Sequence, residues 1–336
     1  MTIGLDCGTM NIVSSRKNAA EQTIFRKERD VFVELPSEAN DAQAFLNMAG
    51  AKLVSFNGKN YVVGEESINF ASFLNSEFKR PLKDGLINPN EEDLAIQILD
   101  IIIAHVLGTP QTEGEPCTFC IPAEPIDEKR NVAYHQKSLE YIIKRHGFTP
   151  KAINEATAII YSELASNQLT GIGISWGSGM TNFAMTYKGF PVFSFSMARG
   201  GDWIDEQVKQ ATGKPAPEIT MIKETELDLT VEGETRVHRY LKAYYEELVD
   251  YVIRGIIKKF ESTKTIPSIL NIKNKSAEAI PIVVAGGTSM PKGFAELLRD
   301  RIEKSQFPFK VSKIIVASEP LYTVARGLLL YGLAQK

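Results

Sequence analysis

The sequence predicts an α/β protein of two domains, and three observations carry that prediction. Apolar strand-like runs alternate with helical periods along most of the chain, the pattern of sheets with helices packed on their faces. At about 150 residues per domain, 336 residues correspond to two units. A strand, a glycine turn and a meander open the chain, and the same layout recurs from about residue 170, a repeat of architecture rather than of sequence.

In order along the first half, Ile3 to Asp6 reads as a strand running into the turn Cys7-Gly8-Thr9. Asn11 to Ser14 and Thr23 to Arg26 continue the meander across a polar connection, Lys17 to Glu21. Val31 to Leu35 is a strand ended by Pro36, and Pro36 to Asn40 is a loop. Lys52 to Phe56 and Asn60 to Val63 flank Asn57-Gly58, the dipeptide that supplies positive φ to a tight hairpin. Glu91 to Leu107 has helical spacing, with Asn90 as N-cap and Gly108 as stop. Cys117 to Ile121 is a strand closed by Pro122, Asp127 to Arg145 a helix, Ala152 to Asn154 a strand and Ala156 to Ser166 a helix.

The second half repeats the opening. Ile172 to Ser175, Asn182 to Tyr187 and Phe193 to Met197 are its strands. Asp202 to Thr212 is helical, Lys214 to Pro217 a connection, Ile219 to Leu227 helical, and Thr235 to Phe260 a long amphipathic helix. Ile280 to Val284 runs as a strand into Gly286-Gly287. Gly293 to Lys304, Ile314 to Val316 and Leu321 to Leu333 follow as helix, strand and helix.

Composition excludes several classes. Apolar residues at 43% and charged residues at 24% fit a globular chain with a large core. With 38 basic against 41 acidic residues, no broad nucleic-acid footprint is expected. Three cysteines are no secreted disulfide framework, so a cytoplasmic setting is expected. The most apolar stretch, Leu94 to Leu107, is interrupted by Gln97, Asp100 and His105 and reads as a buried helix, not a membrane span. The N-terminus reads as a core strand rather than a signal peptide. Cys117-x-x-Cys120 has metal or redox spacing without a second ligand pair. On a strand its sulfurs point to opposite faces, so a structural role is expected. His105, His135, His146 and His238 show no ligand spacing.

Three glycine turns each follow an apolar strand: Asp6 to Thr9, Ser175 to Thr181 and Ala285 to Ser289. Glycine there lets backbone N–H groups approach a phosphate, because no Cβ intervenes. Neither a Walker A motif nor the dinucleotide Gly-x-Gly-x-x-Gly pattern occurs.

Over nearly its whole length the chain resembles the actin, heat-shock-chaperone and sugar-kinase ATPase superfamily, and within it the bacterial actins of the MreB and MamK kind. Ile3 to Thr9 resembles the first phosphate loop, and Arg80-Pro81-Leu82-Lys83-Asp84-Gly85-Leu86-Ile87 is similar to a stretch of MreB proteins. Asn154 to Ala158 resembles the first connecting segment, Ser175 to Thr181 the second phosphate loop, and Arg199 to Glu206 the Gly-Gly-Asp helix start. Ile222-Lys223-Glu224 resembles the Lys-Glu pair, Ala285 to Gly293 the adenosine loop, and Glu319 to Gly327 the second connecting segment.

The resemblance implies an actin-like ATPase fold, two domains each with a mixed sheet flanked by helices, and a nucleotide in the central cleft. Residues 1–155 plus 321–336 would form domain I, with a small insert at about 35–76. Residues 156–320 would form domain II, with an insert at about 203–262, and no chaperone's substrate-binding domain is expected. It further implies ATP or ADP and Mg²⁺ as ligands. Asp6 would hold the metal through water; Gly8, Thr9, Met10 and Asn11 would bind phosphates, and Gly177, Ser178, Gly179 and Met180 would clamp them from the opposite domain. Gly286, Gly287, Thr288 and Met290 would line the nucleoside, with Lys223 and Glu224 across from them, and Glu155 would orient the attacking water. Self-assembly into a head-to-tail filament of paired protofilaments would follow, bound to an unknown cargo or adaptor. A small-molecule kinase or a nucleotide-switched chaperone-like protein of the same superfamily is the alternative.

One departure stands out: the family usually carries Asp where this chain has Ser175. A neutral hydroxyl is a poorer partner for a metal-bound water, so nucleotide binding with slow hydrolysis is expected. The loop from Gly108 to Pro116 offers no Trp, Phe or Leu to a membrane and carries two acids, so no direct lipid binding is expected.

Overall fold

The computed structural model describes residues 2–36, 51–73, 78–262 and 279–335. β1 (Ile3–Cys7), β2 (Asn11–Lys17) and β3 (Thr23–Arg29) form the first meander. β4 (Phe32–Glu34), β5 (Lys52–Phe56) and β6 (Lys59–Val63) make a small sheet, followed by helix α1 (Glu65–Phe73) and the short ribbon β7 (Leu82–Lys83) and β8 (Leu86–Ile87). Helix α2 (Glu92–Leu107), β9 (Glu115–Ile121), α3 (Val132–Arg145) and β10 (Phe148–Asn154) complete the first half. Helix α4 (Glu155–Glu163) leads to β11 (Gly171–Trp176), β12 (Thr181–Tyr187) and β13 (Phe190–Met197). Then come α5 (Gly201–Thr212), α6 (Ala216–Thr225), α7 (Arg236–Ser262), β14 (Ile280–Ala285), α8 (Phe294–Glu303), β15 (Val311–Val316) and α9 (Thr323–Ala334).

The two large sheets share one topology. Their orders are β3-β2-β1-β9-β10 and β13-β12-β11-β14-β15. In each, the three meander strands pair antiparallel and the two later strands add in parallel on the other side. The sheets are mixed and flanked by helices, as the α/β reading expected.

Helices α4 and α9 join the halves by crossing over. Helix α4 leaves the first sheet at β10 but packs on β11, where a Cβ on Gly173 would lie 2.3 Å from the Ala156 carbonyl oxygen. Helix α9 leaves the second sheet at β15 but packs on β1, where a Cβ on Gly4 would lie 2.5 Å from the Ala325 oxygen. The helices also meet each other, so closely that a Cβ on Gly327 would stand 1.8 Å from the Ala158 oxygen. Around them Ile159, Ile160, Val324 and Leu328 form a seam between the larger cores of the two halves. One core gathers Leu5, Phe119 and the apolar face of α2; the other gathers Trp176, the stacked rings of Phe183 and Phe195, and the inner face of α7.

Several boundaries differ from expectation. Asn90 does not cap α2. Its N–H instead donates to the Asn88 side chain in a turn, and Glu91 takes the cap position without a side-chain bond. The helix expected from Asp127 begins at Val132, capped by Asn131, because both Asp127 carboxylate oxygens accept from the Ala198 N–H. The expected connection Lys214 to Pro217 ends earlier, since α6 starts at Ala216 with Pro217 in its first turn, where no N–H is needed. Helix α1 has no counterpart in the sequence reading; it starts after Gly64, whose carbonyl accepts from the Ser67 hydroxyl. Asn57 and Gly58 both take positive φ, as their hairpin requires. Residues 37–40 of the expected loop, and residues 37–50 and 74–76 of the expected insert, lie outside the described residues. Of the two acids expected on the Gly108–Pro116 loop, Glu115 turns inward to Arg16, 3.2 Å away.

Candidate functional site

Two equal turns face each other at the centre of the molecule. Gly8 to Asn11 joins β1 to β2, and Gly177 to Met180 joins β11 to β12. In each, the glycine N–H donates to the carbonyl three residues on, at 3.1 Å. A Cβ on Gly8 or Gly177 would lie 2.9 Å from that same oxygen, so both turns close only with glycine. The turns approach closely: a Cβ on Gly179 would lie 2.8 Å from Thr9 Oγ1 and 2.3 Å from the Gly85 nitrogen. Arg80 spans the opening above them, with Nη1 2.7 Å from Asp202 Oδ2 at the start of α5.

Between the turns lies a cleft with Asp6 and Glu155 in its wall, Asn182 and Cys120 beside them, and Gly286, Gly287 and Leu321 along a further edge. Cys120 Sγ donates to Asp6 Oδ1 at 3.1 Å. The Ser175 hydroxyl donates to Glu155 Oε1, and Asn182 Nδ2 donates to Oε2 at 2.9 Å. Withdrawal from bulk water pushes the Asp6 carboxyl well above the usual carboxylate range, and the charge of Glu155 adds to this. The same withdrawal raises Glu155, against the opposing bond from Ser175. No Lys or Arg is among the described residues that line the cleft. Asn11 adds a buried amide oxygen with no partner. A wall of hard oxygens without a compensating cation, beside two glycine cradles, suits a divalent cation carried with polyphosphate.

The third glycine turn closes the site from the second half. Gly286, at φ 95°, rests on the Trp176 backbone, and its N–H donates to the Pro320 carbonyl. Thr288 Oγ1 donates to the Gly177 carbonyl at 2.9 Å and so ties this turn to the Gly177–Met180 turn. The start of α5 is tied there too, with Gly201 and Asp202 N–H groups donating to the Gly177 and Ser178 carbonyls. Beneath it Lys223, only 8% exposed, donates to Asp205 Oδ2 at 2.7 Å and to the Gly201 carbonyl.

A family model described as Volactin matches residues 1–331. The chain belongs to the Volactin family. In structure it is similar over 100% of its length, and over 98% of the other chain, to a MamK double helical filament, with a TM-score of 0.71 at 18% identity. MreB 5 of Spiroplasma citri bound to AMPPNP matches over 99% of this chain and 96% of that one, with a TM-score of 0.67 at 14% identity. The ethanolamine utilization protein EutJ from Carboxydothermus hydrogenoformans matches over 98% and 89%, with a TM-score of 0.56 at 18% identity. No curated protein sequence matches. The family and these likenesses establish the actin-like ATPase fold of MamK and MreB.

Of the residues singled out in the sequence, the structure gathers Asp6, Gly8, Thr9, Met10, Asn11, Glu155, Gly177, Ser178, Gly179, Met180, Gly286 and Gly287 around one cleft. It sets Lys223 and Thr288 behind the wall, in the bonds just described, and leaves Glu224 and Met290 exposed. Cys120 and Asn182 belong to the site and were not expected there. Cys117 and Cys120 do face opposite sides of β9, but Cys120 does more than pack, since it holds Asp6. Asn182 pairs in register with Ser175, a pairing that spacing along the chain does not show.

Proposed function

We propose that this family member is an ATP-binding cytoskeletal protein that polymerises head to tail into filaments of paired protofilaments in the cytoplasm. The observation that carries the reading is the pair of facing glycine turns around two carboxylates, with no cationic side chain in the described wall. Residues 1–155 with 321–336 form one domain on this reading and 156–320 the other, with ATP between them. Gly8 to Asn11 and Gly177 to Met180 grip the phosphates through backbone N–H groups, and Gly286 and Gly287 border the nucleoside. Asp6 holds Mg²⁺ through water. When bound, that ion offsets phosphate charge and orients the transferring group. The AMPPNP in Spiroplasma citri MreB 5, the ADP in another structure of that protein and the MamK filament support the reading. An open filament needs unlike surfaces that repeat without closing.

Hydrolysis is slow on this reading, because Ser175 leaves the second loop without a carboxylate. Losing one oriented group in such a site costs roughly 2–4 kcal/mol of barrier, about 30- to 1000-fold in rate. Sedimentation and electron microscopy with Mg-ATP test assembly. If no polymer pellets under any nucleotide, salt or crowding condition, the filament reading falls, and a kinase or nucleotide-switched protein takes its place. Phosphate release from assembled protein tests hydrolysis, with Glu155→Ala expected to lower the residual rate to a small but measurable value. Among the described residues no helix is long and apolar enough to cross a membrane. The protein is expected to stay behind when anionic liposomes float, and co-flotation would overturn that expectation.

A further inference from the structure

We infer that Ser175 and Asn182 act together as positioning residues for Glu155, fixing the carboxylate that orients the attacking water. The inference rests on the slow-hydrolysis reading and deepens it. The β11–β12 ladder places Ser175 directly opposite Asn182, so their side chains leave the sheet on one face, as a cross-strand pair. Both reach the same target, the first residue of α4. The backbone there is set by Asn154, whose side chain accepts from the Thr157 N–H and caps the helix. The carboxylate is set by the two donors, one on each oxygen. Two bonds to two oxygens fix both the direction and the plane of the group, and each oxygen keeps a lone pair for a water.

The donors are themselves held. Ser175 and Asn182 are each 1% exposed. The Ala123 N–H donates to Asn182 Oδ1 at 3.2 Å, which turns the amide so that its NH₂ faces Glu155. The matching pair in the first half is Asp6 and Val13. Val13 has no donor, so Asp6 is held by the Cys120 thiol and remains open to a cation. The two carboxylates therefore have separate duties, and the hydroxyl at position 175 serves Glu155 rather than the metal. In the step served, a water oxygen forms a bond to the γ-phosphorus while the bond from that phosphorus to the β–γ bridging oxygen breaks. Glu155 accepts the water's hydrogen bond, and the proton leaves with inorganic phosphate.

The test uses the full chain with Ser175→Ala, Ser175→Thr, Asn182→Asp and Glu155→Ala, read by single-turnover phosphate release, by the Kd for a fluorescent ATP analogue and by crystal structures of the ligand-free proteins. Asn182→Asp keeps the bond from Ala123 and sets a carboxylate against Glu155 in place of the donor. Ser175→Ala and Asn182→Asp are each expected to slow release about tenfold, the effect of one lost orienting hydrogen bond, while Kd changes less than about twofold. Ser175→Thr restores the rate, and Ser175→Ala combined with Glu155→Ala is no slower than Glu155→Ala alone. In the Ser175→Ala crystal the Glu155 carboxylate turns from its wild-type place. Wild-type release rates in Ser175→Ala and Asn182→Asp at unchanged Kd would overturn the inference, as would a slower double variant. If the wild type binds ATP but releases no phosphate, the hydrolysis reading fails. The crystals then decide alone: an unmoved Glu155 in Ser175→Ala ends the positioning claim.

Discussion

The first strands of the two halves align without a gap: Ile3-Gly4-Leu5-Asp6-Cys7-Gly8-Thr9 against Ile172-Gly173-Ile174-Ser175-Trp176-Gly177-Ser178. Each second residue is a glycine pressed against a helix that has crossed from the other half, and each sixth is a glycine that closes a four-residue turn. Backbone-level demands thus coincide. The fourth position alone differs in charge, a carboxylate in one half and a hydroxyl in the other. Steric requirements of the frame are shared by the halves, whereas charge is placed on one side only.

The largest effect should come where the halves part. Lys223 and Asp205 form a near-buried ion pair under the Gly177–Met180 turn. Lys223→Met leaves Asp205 unpaired and should cost roughly 3–5 kcal/mol in urea unfolding, with Lys223→Arg retaining part of it. Next come the shared glycines. Gly4→Ala and Gly173→Ala each drive a Cβ into a helix carbonyl and should each cost about 2–3 kcal/mol. Costs that differ by more than about 1 kcal/mol would show that the two crossings are not equivalent.

The first half alone carries a buried neutral histidine. Burial lowers the His135 pKa from 6.5 to about 4, so its unfolded state binds the proton first. Stability from this group is present above about pH 6.5 and lost as pH falls toward 4, about 2 kcal/mol of it between pH 7 and 5. The wild-type stability profile should therefore fall more steeply over that range than that of His135→Leu. The smallest effect is expected for Cys120→Ser. A hydroxyl still donates to Asp6, so stability should change by less than about 1 kcal/mol, and ATP affinity should hold.

Much of this frame was legible in the sequence, because glycine turns after apolar strands report backbone constraints directly. The strand–turn–meander repeat gave the paired sheets, and the family motifs gave the cleft. Helix α1 was missed because its apolar periodicity is weak and its start depends on Gly64. Asp127 misled the start of α3 because its carboxylate accepts from Ala198, just past the end of β13 and far along the chain. Lys223 looked like half of a Lys-Glu pair, yet its partner is Asp205, eighteen residues back and one helix away. The bonds around Glu155 were invisible for the same reason, since they depend on cross-strand register rather than on spacing along the chain.

The central claim is that two like loops hold one nucleotide while only the first supplies charge for a divalent cation. Titration of ATP in the presence and absence of Mg²⁺, on Asp6→Ser and on Ser175→Ala, tests it most directly. The account predicts that Asp6→Ser loses the gain in affinity that Mg²⁺ gives the wild type, while Ser175→Ala keeps it. Equal Mg²⁺ dependence in the two variants would contradict it.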